Sequence, residues 1–277
     1  MSYSVPALLL AGLLCAQISA QTERELEVLS EQVSLGTINV KRNALLALGR
    51  LKSESASRIA EKALRDESEI VRATAIRTVI YLPPRDASSL VIPFLSAKSA
   101  FVRKEALFAL ADISDPVSAN SVIAALLSDK DKEVRATAAY SLGRIGSPAA
   151  IDPLVSLLKK KPKKKRAFLR RSAARSIGQI AEALAGKEPS DSVPSDFILK
   201  GAISSAQGPI EPKMLTRVDV LIRVLSNPKE FADTRREAAF ALGAIGSPRA
   251  KASLEKYSAG SDYILAQVCR EALAKIG

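Results

Sequence analysis

The sequence predicts an all-α protein built as a solenoid of about seven two-helix repeats. Nearly the same string of residues occurs seven times in the 277-residue chain, and its clearest copy occupies residues 134–145. Successive copies begin 31, 31, 32, 35, 65 and 34 residues apart, and a period in the thirties is typical of stacked helical repeats. No segment has the alternation or the turn-rich spacing of β-strands.

Each copy has the pattern of one amphipathic helix. Apolar residues recur at offsets 0, 4, 5, 8 and 11 from the first residue of the copy, which places them on one face of a helix. Offset 4 is always alanine, and a side chain this small lets the neighbouring helix approach closely. The first residues of the copies are Val40, Val71, Val102, Val134, Leu169, Thr234 and Val268.

Another amphipathic stretch precedes each copy, for example at residues 151–158 and 218–225, so the predicted unit is a pair of antiparallel helices. The connection between units has the sequence Gly-Ser-Pro in two places, at 146–148 and 246–248. Glycine is expected to end one helix in a left-handed conformation, serine to cap the next, and proline to occupy its first turn. A single pair cannot bury its apolar face, so the units are expected to stack into one core.

The string Val-Arg-x-x-Ala-x-x-x-Leu-Gly-x-Ile-Gly, seen at 134–146 and in close variants at 40–51 and 234–246, resembles the short HEAT-like repeats of the phycobilisome-lyase type. An acidic residue about five positions before the string, as at Asp66 and Asp129, matches the same pattern. The resemblance covers roughly residues 22–277 and implies a right-handed α-solenoid. It also implies a structural role, tying helix ends to turns, for the arginine at offset 1: Arg72, Arg103, Arg135, Arg170 and Arg235.

Residues 1–20 are typical of a secretory signal peptide. An apolar run at 5–16 is followed by Ile18 and Ala20, which permit cleavage before Gln21. No Lys or Arg precedes the run, and the run is too short to cross a bilayer comfortably. We expect an exported protein, periplasmic or extracellular, that consists of residues 21–277; the alternative is a chain anchored to a membrane by an uncleaved N-terminus.

The formal net charge of +12 is concentrated in one segment. Residues 159–175 carry ten basic residues and no acidic one, which leaves +2 for the rest of the chain. The predicted anion-binding residues lie in the turn between the two helices of repeat five: Lys159, Lys160, Lys161, Lys163, Lys164, Lys165 and Arg166. Acidic polysaccharide, anionic lipid and nucleic acid are the possible ligands of such a segment. A solvated turn without a ligand is the alternative.

A second candidate site is a ridge on the second helices, formed by residues at offsets 2 and 6, which the fold would place on its concave side. Basic residues occupy five of the seven offset-2 positions, and aromatic residues occur at offset 6. Aromatic and arginine side chains are common in protein interfaces; the alternative is that they cover neighbouring helices and provide solubility. The ridge comprises Arg42, Arg77, Lys104, Phe108, Tyr140, Arg171, Arg175, Arg236 and Phe240.

The sequence argues against catalysis. It contains no histidine and only two cysteines, which excludes His general bases, His-ligated iron or zinc and Cys-rich metal clusters. No phosphate-binding glycine loop occurs. We therefore expect no cofactor and no metal, and a non-catalytic scaffold that binds a protein partner. Anion binding through residues 159–175 is the alternative function, and a bilin lyase-like activity, suggested by the resemblance, is a remote one.

Two features leave alternatives open. The period breaks at about residues 185–213, which form either a degenerate repeat or a long surface loop. Cys269 replaces the usual basic residue at offset 1 of the last copy, either as a tolerated substitution or as a reactive thiol.

Overall fold

A computed structural model of the protein describes residues 23–186 and 217–277, and in these ranges the chain forms fourteen α-helices and no β-strand. The helices of the first four repeats are α1 (23–35), α2 (Ile38–Leu51), α3 (Glu54–Ala60), α4 (Glu69–Thr78), α5 (Pro84–Val91), α6 (Ala100–Ile113), α7 (Ala119–Ser128) and α8 (Lys132–Ile145). Those of the last three are α9 (Ile151–Lys159), α10 (Ala167–Leu184), α11 (Val218–Ser226), α12 (Ala232–Ile245), α13 (Lys251–Ser258) and α14 (Tyr263–Ile276).

The prediction of an all-α fold with seven two-helix repeats is confirmed. Every copy of the string forms the second helix of a pair, and the first helix precedes it. The alanine at offset 4 is buried in all seven copies. The apolar residue at offset 8 is also buried in the first six copies, whereas Ile276 of the last copy is half-exposed.

The described chain falls into two compact units, with the boundary inside α5 after Ala87. In the first unit α2 packs on α4, with Leu45, Leu48 and Ile76 fully buried. In the second unit each second helix packs on the next, in the order α6, α8, α10, α12 and α14.

A hydrogen bond at offset 7 fixes the register between successive second helices. The Ser141 hydroxyl donates to the carbonyl of Leu107 at 2.7 Å, and Ser176 donates to Ala139 at 2.7 Å. In the first unit Thr78 makes the equivalent bond to Leu45 at 3.2 Å. The sequence analysis missed this contact, although hydroxyl residues recur at offset 7 and so gave a signal for it.

The joints between repeats largely follow the sequence pattern. Gly146 and Gly246 end their helices with φ values of 72° and 69°, the left-handed conformation expected of them. Ser147 and Ser247 stand at the expected cap position, but neither makes a side-chain capping bond. The reason is that each proline opens a short 3₁₀ turn, which the backbone closes with bonds such as that from the Ala150 amide to the Ser147 carbonyl at 3.1 Å.

Repeats five and six are direct neighbours although their copies begin 65 residues apart. The helix α10 packs on α12, and α9 packs on α11. The irregular insert predicted at about 185–213 falls outside the described residues from residue 187 onward, as does the predicted signal peptide at 1–20. None of the helices in the described ranges combines the length and apolar character needed to cross a bilayer.

Candidate functional site

The arginine at offset 1 binds the turn that precedes its own helix, as the sequence predicts. Arg72 donates to the carbonyls of Asp66 and Glu67 at 2.7 and 2.8 Å. Arg103 and Arg135 make equivalent bonds to carbonyls in their own turns, and Arg235 binds a carbonyl at the end of the preceding helix. Carbonyls at helix ends have no partner within the helix, so the arginines satisfy them. These arginines are therefore parts of the fold.

In some repeats the basic residue at offset 1 also contacts an acidic residue of the next repeat. Arg103 forms a two-point contact with Asp129 at 2.7 and 2.9 Å, and both side chains are nearly buried. In the first unit Lys41 contacts Asp66 at 2.7 Å. Burial alone would raise the pKa of Asp66, but the hydrogen bonds from Lys41 and from a backbone amide outweigh it and hold this pKa below its ordinary value.

A buried ion pair connects repeats five and six. Arg170 donates to both carboxylate oxygens of Glu230 and also to the carbonyls of Leu157, Leu158 and Lys160. Neither side chain of the pair is more than 2% exposed. Arg170 is one of the ten basic residues of 159–175, but its charge is internal and is neutralised by Glu230, which lies 60 residues away in sequence.

The lysine turn, residues 159–166, is the most basic feature of the surface. It runs from the end of α9 through a 3₁₀ turn at Lys164–Arg166 to the start of α10, which is the position that the sequence predicts for it. All six lysines are exposed, and none has a carboxylate partner within the described chain. Lys164 occupies the position five before the string, where repeats two and four have Asp66 and Asp129.

Three of the six basic residues of the ridge form ion pairs with the next repeat. Lys104 contacts Glu133 at 2.9 Å, and Arg171 contacts Glu237 at 3.4 Å. The Arg236 guanidinium contacts Asp262 at 3.0 Å and, at 3.1 Å, Asp233 of its own helix. These contacts make the offset-2 positions a row of ion pairs between repeats, which the sequence did not reveal because each acidic partner lies in another helix.

The aromatic residues of the ridge differ in exposure. Phe108 is exposed and packs edge-on against half-exposed Tyr140 of the next repeat, with 6.0 Å between ring centroids. Phe240 corrects the prediction, because it is buried: its ring fills the space above Gly178, and the Lys275 ammonium lies 5.5 Å from the ring centroid.

The remaining ridge residues are spread over both units. Arg42 is exposed on α2 in the first unit. Arg77 and Arg175 are half-buried and engaged within the protein. In the second unit the accessible ridge thus centres on Phe108 and Tyr140.

The repeated string matches the profiles of known repeat families. The profile described as HEAT repeats matches residues 58–127 and 88–178, and the profile described as PBS lyase HEAT-like repeat matches residues 234–259. The chain is built of HEAT repeats. No curated protein matches its sequence.

Solved structures with the same kind of fold include natural and designed proteins. The complex of CpcE and CpcF of phycocyanin lyase from Nostoc sp. PCC7120 is similar with a TM-score of 0.50 and 20% identity, over 91% of this chain and 94% of that one. Human deoxyhypusine hydroxylase gives a TM-score of 0.38 and 17% identity, over 93% and 98% of the two chains. A designed armadillo repeat protein in complex with the peptide (KR)4 gives 0.44 and 17%, over 91% and 99%. At these identities the likeness concerns the fold alone.

The HEAT repeats place Cys269 in the core. Its thiol is fully buried on α14, and this burial raises its pKa to about 12. The geometry thus favours the interpretation of a tolerated apolar substitution at offset 1. Within residues 23–186 and 217–277 no three His, Cys, Asp or Glu side chains are grouped so that they could hold a metal ion.

Proposed function

We propose that this HEAT-repeat protein is a non-catalytic scaffold that binds another protein through the second helices of repeats three and four. The observation that carries the proposal is the accessible edge-to-face pair of Phe108 and Tyr140. The contact of Lys104 with Glu133 borders this pair on the same two helices. An aromatic centre beside charged groups that are already paired is the composition that protein interfaces favour.

A further argument comes from what this surface contributes to the fold. The rings bridge α6 and α8, but the buried contacts at offsets 4, 5 and 8 already hold these helices together. Two aromatic side chains left partly in water are therefore not required for packing and gain most by being covered by a partner.

The test is site-specific crosslinking in the native host followed by mass spectrometry. A photoreactive residue at Phe108 should trap a defined partner, and Tyr140→Ala in the same chain should abolish that adduct. The control places the photoreactive residue at Val117, which is 58% exposed but lies in the 3₁₀ turn before α7 and not on a second helix. An identical set of adducts from both positions would reject the proposal.

We also propose that the protein is exported and has no enzymatic activity. Export is supported by the apolar run at residues 5–16 and the small residues that follow it, and the lack of catalysis by the absence of histidine from the whole sequence. N-terminal sequencing of the protein from its host should find Gln21 as the first residue. Soluble cytoplasmic protein that begins at Met1 would contradict export, and a chromophore or metal that co-purifies would contradict a role without cofactors.

A second candidate function is the binding of a polyanion by the lysine turn. The observation in its favour is that six neighbouring lysines are exposed without carboxylate partners in the described chain. Their mutual repulsion is slightly unfavourable unless an anion offsets it. Heparin should retain the protein at low salt and release it as salt rises, and the replacement of all six lysines by Gln should abolish retention without changing the helical circular dichroism spectrum.

A further inference from the structure

The lysine turn belongs to a larger basic edge of the second unit. The turns between the first and second helices of repeats three to seven are residues 97–99, 129–131, 160–166, 227–231 and 259–262, and we call them together the turn edge. Exposed lysines lie on or directly beside it, one residue from a turn at most: Lys98, Lys130, Lys132, Lys159, Lys160, Lys161, Lys163, Lys164, Lys165 and Lys229.

Contacts between repeats show that these turns are neighbours. Arg103 donates to the carbonyls of Ala97 and Lys98 in the turn 97–99 and also to the Asp129 carboxylate in the next turn. Arg170 joins Lys160 to Glu230 in the same way, and Arg236 reaches Asp262. The bond from Ser176 to Ala139 keeps α8 and α10 in the same register, so the lysine turn continues the row.

The acidic residues of the turn edge do not neutralise these lysines. Asp129 and Glu230 are paired with nearly buried arginines. Asp131 accepts hydrogen bonds from two amides at the start of α8, and Asp262 pairs with Arg236. Three of the four carboxylates in these turns are therefore neutralised by arginines, and the ten lysines far outnumber the fourth, Asp131, so the edge is positively charged.

Large apolar side chains are exposed at the same edge. Phe101 and Phe168 are the second residues of α6 and α10, and Tyr263 is the first residue of α14. Phe168, at 59% exposure, lies two residues after the end of the lysine turn. With neighbouring helices about 8–10 Å apart, these rings in repeats three, five and seven are spread over roughly 30–40 Å, which suits an extended surface better than a small ligand.

We propose that the turn edge of the second unit binds the anionic surface of a lipid bilayer. The inference rests on the anion-binding candidate function and names its ligand. Lysines act as point charges that are attracted to anionic headgroups, whereas specific recognition of phosphate favours the arginine fork, and the arginines Arg103, Arg135 and Arg170 are engaged by carbonyls. Aromatic rings beside such lysines enter the interfacial region, as they do in other proteins that bind membrane surfaces.

The chain contains no tryptophan, so a single introduced tryptophan reports on its own surroundings. Phe168→Trp should show a blue-shifted emission with vesicles that contain phosphatidylglycerol and no shift with pure phosphatidylcholine vesicles. Val117→Trp is the matched control, because Val117 is 58% exposed but lies in the 3₁₀ turn before α7, at the opposite end of that helix from the turn edge. Equal shifts from both positions, or an equal shift with both kinds of vesicle, would overturn the proposal.

A charge-matched pair of variants tests the lysines. Each lysine near an anionic surface contributes about fivefold to partitioning, so Lys164→Gln/Lys165→Gln should weaken vesicle binding by roughly ten- to thirty-fold at low salt. The control Arg223→Gln/Lys251→Gln removes the same charge from exposed positions on first helices and should change binding by less than about threefold. Equal losses in the two variants would show that net charge alone is responsible and would overturn the proposal.

Heparin retention separates the lipid proposal from the anion-binding function on which it rests. If the protein binds heparin but not anionic vesicles, the anion-binding function stands and the lipid surface is rejected as its ligand. If the protein binds neither heparin nor anionic vesicles, both the anion-binding function and the lipid proposal are rejected. Binding to anionic vesicles that survives the Phe168→Ala change and all six lysine replacements would assign it to another surface.

Discussion

Gly243→Ala should destabilise the protein, although the same change stabilises most helices. Gly243 lies in the interior of α12, where alanine would gain about 1 kcal/mol of helix propensity. However, an added Cβ would lie 2.6 Å from the Ala272 Cα and 2.7 Å from the Ala272 Cβ on α14. Carbon atoms in contact are normally about 3.5–4.0 Å apart, and a backbone atom cannot rotate away, so the two helices would have to separate by about 1 Å.

Such overpacking typically costs about 1–3 kcal/mol. Because the obstacle is backbone, we place the cost in the upper part of that range, and the net loss after the propensity gain is about 1–2 kcal/mol. The chain offers a matched control at the same offset. An added Cβ at Gly49 meets nothing closer than the Thr78 hydroxyl at 3.7 Å, an ordinary contact, so Gly49→Ala should stabilise by about 0.5–1 kcal/mol.

Urea unfolding followed by far-ultraviolet circular dichroism measures both changes. The urea midpoint should fall for Gly243→Ala and rise for Gly49→Ala. If the two compact units unfold in separate transitions, each change should appear in the transition of its own unit. The slope of the unfolding free energy against urea concentration should not change. If Gly243→Ala stabilises the protein as Gly49→Ala does, then α12 and α14 are not in close contact at Gly243.

Three further outcomes follow from the buried polar groups. Glu230→Gln leaves the Arg170 charge buried without a counter-charge and should cost about 3–5 kcal/mol in urea unfolding; a loss below 1 kcal/mol would show that the pair is open to water. Cys269 should react with a thiol reagent only at the rate of unfolding, because burial raises its pKa to about 12; fast labelling of the folded protein would contradict this. The pKa of Asp66 is lowered in the folded state, so the contact with Lys41 stabilises above the ordinary pKa of about 4 and is lost as the pH falls through the folded value. Stability should therefore decline at acid pH less steeply in Asp66→Asn than in the natural chain, and identical pH profiles would refute the assignment.

The sequence alone determined the architecture of the protein. The apolar offsets and the invariant alanine specify seven second helices, because helix periodicity is a local property that each copy carries in full. The structural role of Arg72, Arg103 and Arg135 was also predicted, and the carbonyls they bind lie only five or six residues earlier. The location of the lysine turn followed from the same local pattern.

Only the tertiary structure decided which of these residues remain accessible. Arg170 and Arg171 are adjacent in the sequence and both basic, yet one is buried against Glu230 and the other lies at the surface beside Glu237. Phe240 occupies the same offset as Phe108, but Gly178 on the preceding second helix makes room for its ring. These differences depend on which side chain the neighbouring repeat presents at the point of contact. That pairing is set by the register of the stacked helices, between residues that lie 60 or more positions apart in the chain, and the pattern within one repeat does not encode it.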